Sequence, residues 1–182
     1  DIREEFLGKF IPAVESLKLG DPLKEDTDVG PMITEDAAIK ADEWIKEAVS
    51  CGAKILAGGD RKGSLLKPTI LTNVSREMKV VCHEVFAPVV TIQEYSTIDE
   101  AIVMVNDSDF GLQAGIFTSD INLAFKAAKE LQVGGVMIND TSMYRVDAMP
   151  YGGVKQSGIG REGPKYAIEE MTDLKIIVFN MS

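Results

Sequence analysis

Histidine occurs once in this 182-residue chain, at His83, and cysteine twice, at Cys51 and Cys82. A single imidazole rules out a multi-histidine zinc site or a two-histidine metalloprotease helix, so no metal is expected. Two cysteines make a poor disulfide framework and suit a reducing cytoplasm, the expected location. No apolar run is long enough to span a bilayer, and the opening Asp1-Ile2-Arg3-Glu4-Glu5 has no signal-peptide character. Basic residues are in deficit: 19 Lys and Arg against 29 Asp and Glu leave a formal charge of −10. That balance opposes a nucleic-acid or anionic-membrane partner. There is no G-x-S-x-G elbow, no G-x-x-x-x-G-K-[ST] phosphate loop, and no repeat or low-complexity linker. What remains is 45% hydrophobic residues in a length that suits one domain with a substantial core.

Phe6, Leu7, Phe10, Ile11, Val14 and Leu17 recur at helical spacing, so the chain opens inside a helix, stopped by Gly20-Asp21-Pro22. That abrupt opening is expected of a truncated protein. A second helix fits residues 34–51, with Ala38, Ala41, Ile45, Ala48 and Val49 on one face. Lys54 to Ala57 reads as a strand turned by Gly58-Gly59, Pro68 to Val74 as extended, and Pro88 to Ile92 as a buried strand. Thr97-Ile98-Asp99-Glu100 has capping-box spacing for a helix through Ile102 and Val105. Gly115 to Thr118, a helix capped by Asp120 carrying Ala124, Ala127, Ala128 and Leu131, and Gly135 to Ile138 form a parallel crossover unit. Leu174 to Phe179 reads as a final apolar strand. The class is α/β, a mainly parallel sheet flanked by helices.

Several local patterns have plain readings. Gly158-Ile159-Gly160-Arg161-Glu162-Gly163 matches G-x-G-x-x-G, but no buried strand precedes it and no acid follows about 20 residues on. It reads as a glycine-rich turn. Cys82 and His83, taken as neighbours on a strand, point to opposite faces and make no catalytic pair. Cys51, at a helix end, reads as a small buried hydrophobe, and Trp44 as partly buried packing. Glu35-Asp36 suits a helix first turn, and Glu169-Glu170 a solvated helix face.

An ordered set of segments carries a resemblance. Gly20-Asp21-Pro22, Asp28-Val29-Gly30-Pro31, Gly52-Ala53-Lys54 with Gly58-Gly59, and Pro68-Thr69-Ile70 are followed by Glu84-Val85-Phe86-Ala87-Pro88-Val89, Asn106 and Phe110-Gly111-Leu112. The run Pro150-Tyr151-Gly152-Gly153-Val154-Lys155-Gln156-Ser157-Gly158 through Glu162 completes it. Over essentially its whole length the chain resembles the C-terminal part of the catalytic domain of the NAD(P)-dependent aldehyde dehydrogenase superfamily. Within that superfamily it is most similar to the branch acting on lactaldehyde or, without phosphorylation, on glyceraldehyde 3-phosphate.

The resemblance implies a truncated catalytic domain over residues 1–182, with an oligomerisation strand at about 172–180. The nucleophile, the general base and the dinucleotide-binding domain lie upstream in the family pattern, so the chain alone is expected to be inactive. It implies that Glu84 binds the nicotinamide ribose of NAD or NADP and that Phe86 packs near the nicotinamide, with Ala87 standing where the family usually has glycine. Asn139 and Tyr151 fall near the aldehyde tunnel, and Glu162 matches an acid that relays protons from the general base. Arg161 is implied to tie together the glycine-rich loop and the subunit contact, and Lys155 and Ser157 to hold the loop by hydrogen bonds. In the family a cysteine thiolate attacks the aldehyde, and a thioester is then hydrolysed by activated water. On residue chemistry alone Glu84 is an ordinary strand carboxylate. Arg145 equally suits a phosphate or carboxylate of the substrate, or an acid such as Asp147 on the surface. The implied partners are a small aldehyde and further copies of the chain, as a dimer or dimer of dimers; the alternative is a non-catalytic binding or assembly module.

Overall fold

The computed structural model describes residues 2–181, in two compact units divided after Glu94. The first contains α1 (Arg3–Glu15), α2 (Glu35–Ser50), β1 (Lys54–Ala57), β2 (Arg61–Lys62), β3 (Leu65–Leu66), β4 (Thr69–Thr72), α3 (Lys79–Cys82) and β5 (Val89–Ile92). The second contains α4 (Ile98–Asn106), β6 (Phe110–Gly111), β7 (Gln113–Ile116), α5 (Ile121–Glu130), β8 (Gly135–Ile138), β9 (Val154–Lys155) and α6 (Pro164–Met171).

In the first unit α2 begins where Thr34 Oγ1 accepts the Ala37 N–H at 3.1 Å, and it buries Ala38, Ala41, Ile45 and Ala48. Val49, expected on that face, is 40% exposed. One residue beyond Ala48 is a rotation of about 100°, which carries it off the narrow stripe. Cys51 caps the helix and is exposed, where a buried position was expected. Of the apolar set in the opening helix only Leu7 is buried, and Leu17 lies beyond the helix end. The sheet runs β1-β4-β5, antiparallel between β1 and β4 and parallel between β4 and β5. Every residue of β4 is buried, which places this strand at the centre of the core. Gly58 turns β1 away with φ +73°, and a Cβ there would collide with the Pro68 carbonyl oxygen.

In the second unit Thr97 Oγ1 accepts the Glu100 N–H at 3.2 Å, and Glu100 Oε2 accepts the Ser96 N–H at 2.7 Å. The reciprocal cap therefore reaches one residue further back than the capping-box spacing implies. Val105, placed with Ile102 in that helix, is 43% exposed. Asp120 Oδ1 accepts from Asn122 and Leu123 to start α5, which buries Ala124 and Ala127. β7, α5 and β8 form the expected parallel crossover, Gln113 opposite Gly135 through Ile116 opposite Ile138. The first strand of that crossover, β7, sits two residues earlier than anticipated. Lys126 of α5 pairs with Asp99 of α4, and that hydrogen bond raises the Lys126 pKa.

The α/β class holds. Among the described residues the strands form four small sheets, with parallel pairing in β4–β5 and β7–β8 and antiparallel pairing elsewhere. Leu174 to Phe179, anticipated as a strand, is not one here. It pairs with nothing among the described residues, and a strand exists only through its ladder. Leu174, Ile176, Ile177, Val178 and Phe179 are each at least 67% exposed. No helix among the described residues is long and apolar enough to cross a membrane.

Candidate functional site

In the first unit the candidate cofactor residues stand on the loop from α3 into β5. Val85 and Ala87 pack against the core cluster that contains Ile45, Leu66 and Leu71. Glu84 and Phe86, alternating with them, face outward. Phe86 is 79% exposed and its backbone is left-handed, with φ +49°. A non-glycine residue in this region costs about 1–3 kcal/mol, so its surroundings must enforce it. Two inward anchors and the ladder bond from Thr69 N–H to the Pro88 carbonyl, 2.8 Å, do so. Glu84 is a loop residue, not a strand carboxylate, and among the described residues no hydrogen bond or ion pair engages it.

Cys82 and His83 are likewise not on a strand: Cys82 ends α3 and His83 is its cap. They diverge all the same. Cys82 Sγ donates to the Glu77 carbonyl oxygen at 3.7 Å, while the His83 ring lies 5.6 Å from that of Trp44.

In the second unit three of the candidate residues come together. Tyr151 and Glu162 form an antiparallel bridge, Tyr151 N–H donating to the Glu162 carbonyl at 3.1 Å and Glu162 N–H to the Tyr151 carbonyl at 2.6 Å. The Arg145 guanidinium lies 4.2 Å from the Tyr151 ring centroid and donates through Nη2 to Glu162 Oε2 at 2.8 Å. Its acidic partner is thus Glu162, not Asp147. The two side chains are 43% and 66% exposed, so the pair itself contributes at most about 1 kcal/mol. The cation–π contact holds the guanidinium over the Tyr151 ring, and one bond to Glu162 leaves most of its five donors uncommitted. Asn139 serves another place. At the end of β8, with φ +57°, its Oδ1 accepts the Thr118 N–H at 2.8 Å and its N–H donates to the Ile116 carbonyl at 2.7 Å.

The glycine-rich loop is held as anticipated by its polar residues. Lys155 Nζ donates to the Asn106 and Ser108 carbonyls at 2.7 and 2.9 Å, and Ser157 Oγ accepts the Gly111 N–H at 2.9 Å. Arg161 Nη1 donates to the Gly153 and Gly160 carbonyls at 2.9 and 2.7 Å. Glu170, read as a solvated surface acid, is exposed and also accepts the Arg161 N–H at 3.4 Å. Nothing in its local sequence signals that contact. The G-x-G-x-x-G letters follow a two-residue antiparallel strand, and α6 opens only at Pro164. No dinucleotide-binding βαβ unit surrounds them.

The chain matches the aldehyde dehydrogenase family over residues 1–177. It is 57% identical over 181 residues to 3-sulfolactaldehyde dehydrogenase of Priestia aryabhattai, covering 100% of this chain and 38% of that protein. Aldehyde dehydrogenase 21 of Physcomitrella patens, solved with its reaction product succinate, superposes with a TM-score of 0.92 at 48% identity, covering 93% of this chain and 35% of that one. Glyceraldehyde-3-phosphate dehydrogenase GapN of Methanocaldococcus jannaschii, solved with NADP, gives 0.91 at 44% identity over 96% of this chain and 38% of that one. The chain therefore spans little more than a third of the length of these relatives.

Proposed function

The chain belongs to the aldehyde dehydrogenase family, and from that premise we propose that it supplies the ribose contact and part of the substrate wall of an NAD(P)-dependent dehydrogenase for aldehydes that carry an anionic group. The loop fits the cofactor: an outward carboxylate with both oxygens uncommitted among the described residues accepts the two ribose hydroxyls. Phe86, fixed outward by its backbone, offers a flat apolar face to the nicotinamide. When bound, NAD or NADP accepts the hydride of the aldehyde. Tyr151 lines the tunnel and Asn139 stands near it, while Glu162 passes on protons taken up by the general base.

The observation that carries the substrate class is the oriented guanidinium of Arg145 on Tyr151. A planar fork with free donors matches a sulfonate, carboxylate or phosphate oxygen pair. The names of the three relatives bear on this, since 3-sulfolactaldehyde, succinate and glyceraldehyde 3-phosphate are all anions. The nucleophile belongs to the part of the relatives that this chain does not span. Without that nucleophile the chain alone turns over no aldehyde; Cys51 is a helix cap, and Cys82 Sγ donates to the Glu77 carbonyl. The exposed segment 174–179 adds to a neighbouring subunit, giving a homodimer or dimer of dimers.

Aldehyde-dependent NAD(P)H formation tests this reading, comparing the chain with a protein extended upstream. Activity in the extended protein alone, with anionic aldehydes preferred over neutral ones of the same length, is expected. A folded but silent extended protein would point instead to a non-catalytic module.

A further inference from the structure

The loop bearing Glu84 and Phe86 is tied to the core at its centre and end, through Val85, Ala87 and the Pro88 carbonyl. Its entrance is held differently. His83, the residue immediately before Glu84, is an exposed α3 cap with extended backbone, φ −121° and ψ 157°. Its ring rests by Trp44 of α2, with centroids 5.6 Å apart and planes inclined at 40°. Trp44 is itself packed against the core cluster, and Lys40 Nζ lies 4.8 Å from its ring centroid. The indole is therefore braced against the core, and the imidazole leans on it.

We propose that Trp44 and His83 are positioning residues for the cofactor-facing carboxylate: the contact between their rings fixes the loop entrance and so the place of Glu84. This rests on the assignment of Glu84 to the cofactor ribose. Neither ring touches the cofactor in this scheme; both act through the backbone between residues 83 and 84. The expected effect of losing the ring contact is about fivefold in cofactor affinity, equivalent to ~1 kcal/mol at 1.4 kcal/mol per tenfold.

The test uses the upstream-extended enzyme carrying His83→Ala, His83→Phe, Trp44→Leu, Trp44→Phe or Glu84→Gln. His83→Ala and Trp44→Leu should raise KM for NAD(P) about fivefold while kcat and the aldehyde KM stay within about twofold, the cost of one aromatic contact. Both phenylalanine variants, which keep a ring pair, should restore the wild-type KM. His83 is exposed, so His83→Ala leaves the core intact even if Trp44→Leu does not fold. An unchanged cofactor KM in His83→Ala, with Glu84→Gln impaired, overturns the positioning role alone. An unchanged cofactor KM in Glu84→Gln overturns the ribose contact, and this proposal with it. The chain's single tryptophan gives an independent readout. His83→Ala should alter Trp44 emission in the folded 182-residue chain, and an unchanged spectrum would deny the contact.

Discussion

Replacing Arg145 separates a structural from a substrate-binding role by magnitude. Its side chain makes one exposed ion pair with Glu162 and one cation–π contact with Tyr151. The pair is worth about 0.2–1 kcal/mol and the cation–π contact about 0.5–1 kcal/mol at an exposed site. Arg145→Ala should thus cost no more than about 2 kcal/mol of folding stability, read as a shift of the denaturant midpoint. A charge-assisted hydrogen bond to a substrate anion is worth about 1.5–3 kcal/mol, which is roughly 10- to 150-fold in kcat/KM. In the upstream-extended enzyme that loss should fall on the anionic aldehyde and spare a neutral one of equal length. Arg145→Lys keeps the charge but loses the fork, so it should recover only part of the activity. Equal losses for charged and neutral aldehydes would refute the assignment, because a guanidinium that only braces the Tyr151–Glu162 bridge cannot tell the two apart.

Gly134→Ala should destabilise the second unit by more than an ordinary surface change, since a Cβ there runs into the Gly152 carbonyl oxygen and neither backbone can move cheaply; a denaturant midpoint equal to wild type would refute the packing. The raised pKa of Lys126, caused by its hydrogen bond to Asp99, means that this pair stabilises below the unfolded lysine value of 10.5 and loses its effect as pH rises through the folded value. The gap in stability between wild type and Lys126→Met should therefore close on the alkaline side, and a gap constant with pH would contradict it. The pKa of the Glu77 carboxyl is held low by the Ser75 side chain, then by its own backbone, so its contribution is present above the ordinary glutamate value of 4.5 and lost as pH falls through the folded value. Ser75→Ala should narrow that acid-side loss in urea titrations. Deleting residues 173–182 should convert the assembled extended enzyme to smaller species by light scattering, and an unchanged mass would remove the tail from the interface.

Features set by neighbours along the chain were legible in the sequence. Thr34 and Asp120 announce their helices because a cap needs only the next three residues. The alanine stripe of α2 and the β7–α5–β8 crossover follow from periodicity and connection length. Each residue of the Tyr151, Glu162 and Arg145 group was reachable through the family pattern. Their mutual contact was not, for Arg145 and Glu162 are 17 residues apart and meet only because a backbone bridge closes the glycine-rich run. Val49 and Cys51 failed as core residues because a helix end rotates them out of a stripe only a few side chains wide.

By itself, then, the sequence determined the α/β class, the positions of the capped helices and the family, since these depend on local hydrogen bonding, spacing and motif identity. Tertiary structure decided what the candidate residues face. Val85 and Ala87 pack against the core and thereby turn Glu84 and Phe86 outward, Phe86 on a left-handed backbone. His83 leaves Cys82 for Trp44, and Arg145 finds Glu162 rather than Asp147. The physical reason is the same in each case: a side chain's direction is fixed by packing against residues distant in sequence, and no local pattern encodes that distance.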